Sequence, residues 1–269
     1  MMMTIKIKAL IFDMDGVLWS DQTPIVDLDW VFKQLDQHQI KYTFATNNST
    51  KTPVEYCKKL NHFNVKVNED HIFTSGTTLG KMLKEKYPSG GPVHILGENG
   101  LREPLTTSGF YQSDQKILAV VGGLDRQITY EKLKNATLQL QKNVDFYYTN
   151  ADSTFPTPEG KIPGAGSILA ALETASGKKA ILAGKPEPKM FEHALSLLKT
   201  SPESTLVIGD RIDTDILGGI RANCKTALVL SGISTESDLT KFSYKPDLIH
   251  KNLVDLVNFL ITNNWDFAQ

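Results

Sequence analysis

Ala9-Leu10-Ile11-Phe12-Asp13-Met14-Asp15-Gly16 sets two carboxylates, one residue apart, directly at the end of a short apolar run. A run of that length and composition reads as a buried strand. An ionised carboxylate at the mouth of such a strand is costly unless a cation or a proton relay compensates it. A plain acidic turn is the alternative, since Asp and Gly both favour turns. Three further polar motifs that end apolar runs in the same way weigh against it.

Working outward, short apolar runs alternate with helical patterns, the signature of a parallel sheet built from strand–helix–strand units. Lys8 to Phe12 reads as the first strand, and Leu28, Val31, Phe32 and Leu35 then share one helical face. Tyr42 to Ala45 is a second strand and runs into Thr46-Asn47-Asn48. Thr52-Pro53 opens the next helix as a cap followed by proline at the first helical position. Late in the chain, Ala180 to Ala183, Leu206 to Ile208 and Ala227 to Leu230 read as buried strands, and Leu253 to Ile261 as a final amphipathic helix. From the turn-rich Tyr87-Pro88-Ser89-Gly90-Gly91 onward, the middle carries its own α/β pattern, with a Pro/Gly-rich loop at Thr154 to Gly166. The expected class is therefore α/β, with a core of residues 1–86 and 181–269 and an inserted domain of residues 87–180.

In an open parallel sheet, ligands bind outside the carboxyl ends of the strands. Asp13 and Asp15, Thr46 and Asn47, Lys185, and Asp210 each follow an apolar run, so four parallel strands would bring them to one crevice. The residue types fit together. Carboxylates suit a hard dication such as Mg²⁺. A lysine, a hydroxyl and glycine-turn amides suit a phosphate. One carboxylate can serve as nucleophile while a neighbour moves protons. Each residue has a plainer reading beside this one: a turn lysine for Lys185, a strand-end hydroxyl for Thr46, helix-capping acids for Asp210 and Asp215. Trp19 could line a cleft, but packing is favoured for a large apolar residue after a strand.

Other chemistries are excluded or left without support. Neither Asp13-Met14-Asp15-Gly16 nor Asp213-Thr214-Asp215 continues into a calcium loop. Gly164-Ala165-Gly166-Ser167 has Leu169 where a dinucleotide fingerprint needs its third glycine, and Ser176-Gly177-Lys178-Lys179 lacks the hydroxyl of a phosphate loop. No Gly-x-Ser-x-Gly elbow occurs. The net charge of −1 over 269 residues, without a long basic run, disfavours a nucleic-acid polymer or an anionic membrane surface as partner. No segment reaches a membrane-span length of apolar residues, and Met1 to Lys8 lacks the apolar stretch expected of a signal peptide. Six scattered histidines offer no ligand spacing, and the two cysteines, Cys57 and Cys224, read as free thiols of a reducing, cytoplasmic setting.

Asp-Met-Asp-Gly, Thr-Asn-Asn, Gly-Lys-Pro and Gly-Asp-Arg-Ile-Asp-Thr-Asp-Ile, in that order, resemble the four motifs of the haloacid dehalogenase-like superfamily. Val121-Gly122-Gly123-Leu124-Asp125, Pro163-Gly164-Ala165-Gly166-Ser167 and Gly184-Lys185-Pro186-Glu187-Pro188 are similar to its p-nitrophenyl phosphatase-like branch, which includes nucleotide, phosphoglycolate and pyridoxal phosphatases. The resemblance, from about Ala9 to Leu230, implies a Rossmann-like core with a large inserted α/β cap and a Mg²⁺-dependent phosphatase working through an aspartyl-phosphate. It implies Asp13 as nucleophile and Asp15 as general acid and base. The metal would lie between Asp13, the backbone carbonyl of Asp15, and Asp210, with Asp215 orienting its waters. Thr46 and Asn47 would hold the phosphoryl oxygens and Lys185 would neutralise their charge. Dehalogenases of the superfamily lack the acid at Asp15, which favours phosphate chemistry. Ala151, where the branch often has proline, leaves the substrate open. A phosphotransferase or mutase on the same scaffold and a non-catalytic phospholigand-binding protein are the alternatives. The expected partner is a small phosphorylated metabolite, with a second copy of the chain the one macromolecular partner left open. The cap is expected to set substrate choice, with Phe155 either against the leaving group or buried in the cap.

Overall fold

The computed structural model describes residues 5–157 and 159–267. The chain divides into two compact units. The first holds the residues up to Thr46, Tyr56–Phe73 and those from Lys185 on; the second holds Asn47–Glu55 and Thr74–Gly184.

The first unit is built on a six-stranded sheet in the order Leu248–His250, Lys225–Val229, Thr205–Gly209, Ala9–Phe12, Lys41–Thr46, Ile72–Thr74. Neighbours among the first five are parallel. All four residues of Ala9–Phe12 are fully buried, because both faces of a parallel sheet are covered. Leu10 and Phe12 face one cluster, which includes Leu28, Val31, Phe32 and Leu35 of the helix Leu28–Gln37 and Leu253, Leu256, Val257 and Leu260 of the helix Leu253–Thr262. Ala9 and Ile11 face the other, with Met190, Phe191, Ala194 and Leu198 of the helix Lys189–Leu198. Successive strand residues point to opposite faces, so one short apolar run anchors both helical layers. The helix starts are capped locally: Asp27 accepts from the Trp30 amide at 3.0 Å and Asn252 from the Asp255 amide at 3.0 Å. From the central strand Ala9–Phe12, the sheet continues to Lys41–Thr46 on one side and to Thr205–Gly209 on the other. Such a switch point opens a crevice at the carboxyl ends.

The second unit carries a five-stranded sheet in the order Ile181–Leu182, Asp145–Tyr148, Ala119–Gly122, Gly91–Leu96, Phe110–Gln112, parallel throughout. Helices Ser75–Lys86 and Asn99–Thr107 cover one face through Leu79, Leu83, Leu101 and Leu105. Helices Tyr130–Leu140 and Ala165–Ser176 cover the other through Ala136, Leu140, Ile168, Leu169 and Leu172. The first two helices approach so closely that a Cβ on Gly76 would stand 2.2 Å from the Gly100 carbonyl oxygen.

The α/β class, with a Rossmann-like parallel core and an inserted α/β unit, is what the structure shows. Three expectations are corrected. The boundary expected between residues 86 and 87 moves upstream to Thr74, because Leu79 and Leu83 of Ser75–Lys86 pack on the inserted sheet. The strand expected as a buried core element at Ala180 to Ala183 is Ile181–Leu182, an edge strand of the inserted sheet. It pairs with Tyr147 and Tyr148, and Ile181 is 48% exposed; the boundary at 180/181 therefore shifts to Gly184/Lys185. The loop expected at Thr154 to Gly166 contains an antiparallel hairpin of Thr154–Thr157 and Gly160–Pro163, its turn eased by Gly160 at φ +128°. No helix among the described residues is long and apolar enough to cross a membrane.

Candidate active site

At the carboxyl end of the first unit's sheet, Asp13 continues the central strand, its amide donating to the Ile208 carbonyl at 2.8 Å. Asp210 directly follows Thr205–Gly209, and Asp215 closes the turn Ile212–Ile216. One carboxylate oxygen from each of Asp13, Asp210 and Asp215 lies within 4.8 Å of the others. Lys185 joins the group from the far side of the chain. Its Nζ stands 2.5 Å from Asp13 Oδ1 and 2.6 Å from Asp215 Oδ1, and donates to the Ala45 carbonyl at 2.9 Å. Lys185, expected from sequence to follow a strand of this sheet, follows the inserted sheet's edge strand instead and still reaches Asp13.

The surroundings hold each carboxylate in place. Asp210 Oδ2 accepts from the Ile233 amide at 2.7 Å, and Asp215 Oδ2 from the Arg211 amide at 3.1 Å. Asp215 is not the cap residue of its turn: from inside it the carboxylate reaches back to the Arg211 amide, and the Lys185 ion pair is additional. Two glycines wall the Asp210 carboxylate: a Cβ on Gly16, which sits at φ +84°, would come within 2.4 Å of Oδ2, and one on Gly232 within 1.9 Å.

Charge decides what this cluster can do. Burial pushes the Asp13 carboxyl well above the carboxylate range, the Lys185 ammonium opposes this, and Asp215 and Asp210 add to it. Burial, and then Asp215, push Asp210 up to about 7. For Lys185 burial works against the ammonium, yet the Asp13 and Asp215 charges win and raise its pKa. Fully ionised, three carboxylates would carry more negative charge than one ammonium neutralises, and the raised pKa values are the response: with no further cation, protons meet the surplus. Closely spaced, buried, hard oxygen donors with surplus negative charge fit a hard divalent cation.

Asp15 faces a different partner. Its Oδ1 accepts from Trp19 Nε1 at 2.8 Å, and the Gly16 amide donates to the Trp19 carbonyl at 2.8 Å. Trp19 is fully buried, as packing alone would have it, but its indole N–H also reaches the acid; only the turn's backbone path reveals this. Thr46 is buried at the end of its strand. Asn47, the next residue, belongs to the second unit and is held there on three sides. Its carbonyl accepts from Asn150 Nδ2 at 2.7 Å and from Ser75 Oγ at 2.5 Å, and its Nδ2 donates to Asp152 at 3.1 Å. Ser75 carries no motif signal in the sequence; Asn150 and Asp152 flank Ala151, where the branch often has proline, and the resemblance gives neither a role. Phe155 is half-buried and packs against the second unit's cluster around Leu169.

A doubly wound α/β unit with a lysine-bridged carboxylate cluster at its switch point gathers hard oxygen donors and a cation where an open parallel sheet binds its ligand. A model described as haloacid dehalogenase-like hydrolase matches residues 10–111, and a HAD-hydrolase-like model matches residues 182–256. The chain is 34% identical to an acid sugar phosphatase of Staphylococcus saprophyticus over 94% of its own length and 98% of the relative. It is 30% identical to a 5'-nucleotidase of Bacillus subtilis, covering 94% of this chain and 98% of that protein. The crystal structure of a 4-nitrophenylphosphatase from Thermotoga maritima superposes with a TM-score of 0.89 at 32% identity, covering 94% of this chain and 97% of that one. The chain belongs to the haloacid dehalogenase-like hydrolase family, and within it to the phosphatases.

Proposed function

We propose that this phosphatase hydrolyses small phosphate monoesters with Asp13 as nucleophile. The observation that carries the reading is Lys185, which bridges Asp13 and Asp215 at 2.5 and 2.6 Å inside a cluster of buried carboxylates. With Oδ1 of Asp13 held by the ammonium, its carboxylate attacks phosphorus and becomes an aspartyl-phosphate. Asp15 gives a proton to the leaving oxygen and then takes one from the attacking water. Lys185, Thr46 and Asn47 hold and neutralise the phosphoryl oxygens, the positioning and charge compensation on which phosphoryl transfer depends. Asp13, Asp210 and the Asp15 carbonyl are the ligands proposed for Mg²⁺, with Asp215 orienting its waters. When bound, the ion supplies the positive charge that lets a dianionic ester approach three carboxylates.

The first unit is on this reading the catalytic core and the second the cap that sets substrate choice. The substrate is a small metabolite, not a nucleic-acid polymer, in keeping with the net charge of −1. The free thiols Cys57 and Cys224 support a cytoplasmic setting. A screen of sugar phosphates, nucleoside monophosphates and p-nitrophenyl phosphate tests the proposal. Free phosphate is expected with Mg²⁺ and none with excess chelator. Full activity in chelator would contradict the metal site, and transfer to an added alcohol in place of phosphate release would make the protein a phosphotransferase.

A further inference from the structure

We infer that Trp19 is a positioning residue for the proton transfers of Asp15, a role that rests on the phosphatase reading above. The indole N–H can donate but never accept. Trp19 is fully buried, so Asp15 Oδ1, at 2.8 Å, takes the place of water as its acceptor. A proton on Oδ1 directed at the indole would set two hydrogens against each other. The carbonyl oxygen of a carboxyl group is also a stronger acceptor than its hydroxyl oxygen, so the indole bond favours Oδ1 as the acceptor and the transferable proton on Oδ2. One rotamer and one oxygen of the acid are selected.

The indole is itself fixed. Lys59 Nζ stands 3.9 Å over its ring and also donates to the Asp21 carbonyl at 2.5 Å. The Phe63 ring packs beside it at 6.2 Å. A cation on the ring face is attracted by its quadrupole and draws electron density away from the N–H, which strengthens the donor. The turn geometry closes the unit, with the Gly16 amide on the Trp19 carbonyl and the Leu18 amide on the Met14 carbonyl.

In the first step an Asp13 carboxylate oxygen forms a bond to phosphorus as the bond between phosphorus and the leaving oxygen breaks; the electron pair of the broken bond stays on the leaving oxygen, and the Oδ2 proton of Asp15 is transferred to it. In the second, water attacks the aspartyl-phosphate and gives a proton back to Oδ2, while the bond to Asp13 breaks and restores its carboxylate. Only the first step depends on the leaving group. p-Nitrophenolate leaves as a stable anion with little need of a proton, whereas an alkoxide cannot. Because kcat/KM reports the steps through the first irreversible one, it isolates this difference.

The test compares kcat/KM for p-nitrophenyl phosphate and glycerol phosphate in the wild type, in Trp19→Phe, and in a protein carrying β-(3-benzothienyl)alanine at position 19. This isostere keeps the indole's volume but replaces N–H with sulfur, so it leaves packing intact where phenylalanine would leave a cavity. Thermal melts identify folded protein. The isostere is expected to lose about 10²-fold on glycerol phosphate, the usual scale of acid–base assistance, and under about 3-fold on p-nitrophenyl phosphate. Equal losses on the two esters, or an isostere that behaves as wild type, would overturn the positioning role. A wild type that releases phosphate from neither ester would instead remove the phosphatase reading on which it stands.

Discussion

Asp13 and Lys185 stand 2.5 Å apart and 172 positions apart in sequence, and the site's chemistry turns on that pair. An amide at position 13 keeps the shape and a hydrogen-bonding oxygen but has no anionic nucleophile. Asp13→Asn is expected to keep its circular dichroism and lose at least about 10³-fold in phosphate release, the scale of other nucleophile knockouts. Retention of a tenth of wild-type turnover would remove Asp13 from its role. Asp210 separates metal binding from catalysis. In the metal-free protein it is one of several like charges, and an asparagine oxygen can still accept from the Ile233 amide. Asp210→Asn should melt no lower than wild type without metal. It should lose the rise in melting temperature that millimolar Mg²⁺ produces in wild type, since a ligand stabilises only what it binds. An equal Mg²⁺-induced rise in the variant would place the ion elsewhere.

Among the elements, the loop after Lys225–Val229 is shaped by the carboxylate it encloses. Gly232→Ala would push a methyl into Asp210 Oδ2, 1.9 Å away. Half-saturation by Mg²⁺ is expected to need at least about 10-fold more metal, the scale seen when groups supporting a metal ligand are disturbed. Unchanged metal dependence of activity would show that the loop yields freely. The hairpin of Thr154–Thr157 and Gly160–Pro163 makes a different prediction. Phe155 packs against the second unit's cluster, so its buried side resembles core more than binding surface. Phe155→Ala should cost about 1–2 kcal/mol in urea unfolding of the full chain, less than the 3–5 of a fully buried phenylalanine. Losses in kcat/KM should be equal for small and bulky esters; a change in substrate ranking would return Phe155 to the leaving group.

At the scale of the whole molecule, buried groups make the protein sensitive to alkali. Burial pushes the Cys224 thiol up to about 12, and burial together with Asp36 pushes the Tyr42 phenol up to about 12. Their unfolded values are lower, near 8.5 and 10. Above about pH 8.5 the unfolded chain begins to release protons that the folded chain retains until about pH 12, so stability present at neutral pH is lost progressively across that window. The raised Lys185 pKa acts in the same direction, since its folded-state ammonium keeps a proton that the unfolded lysine gives up. Melting temperature should therefore fall steadily from about pH 9 upward, and a flat profile to pH 11 would contradict it. At pH 8 the buried Cys224 should resist iodoacetamide until the protein is denatured.

The apolar run Ala9–Phe12, the acids directly behind it, Thr46 at its strand end and Asp210 after Thr205–Gly209 were legible in the sequence. Burial of a short strand and the turn that ends it are written in adjacent residues, and the order of the motifs pointed to the family. Membership of a sheet was not legible. Ile181–Leu182 has the same apolar look as a core strand, but its partners are Tyr147 and Tyr148. Helix Ser75–Lys86 likewise has an apolar face that either sheet could have covered. The tertiary structure also decided that the Trp19 indole serves Asp15 and that Ser75, Asn150 and Asp152 hold Asn47. A local pattern records whether a side chain is to be buried; only the path of the folded backbone, over separations from 4 residues for Trp19 and Asp15 to 105 for Asn47 and Asp152, decides what it is buried against.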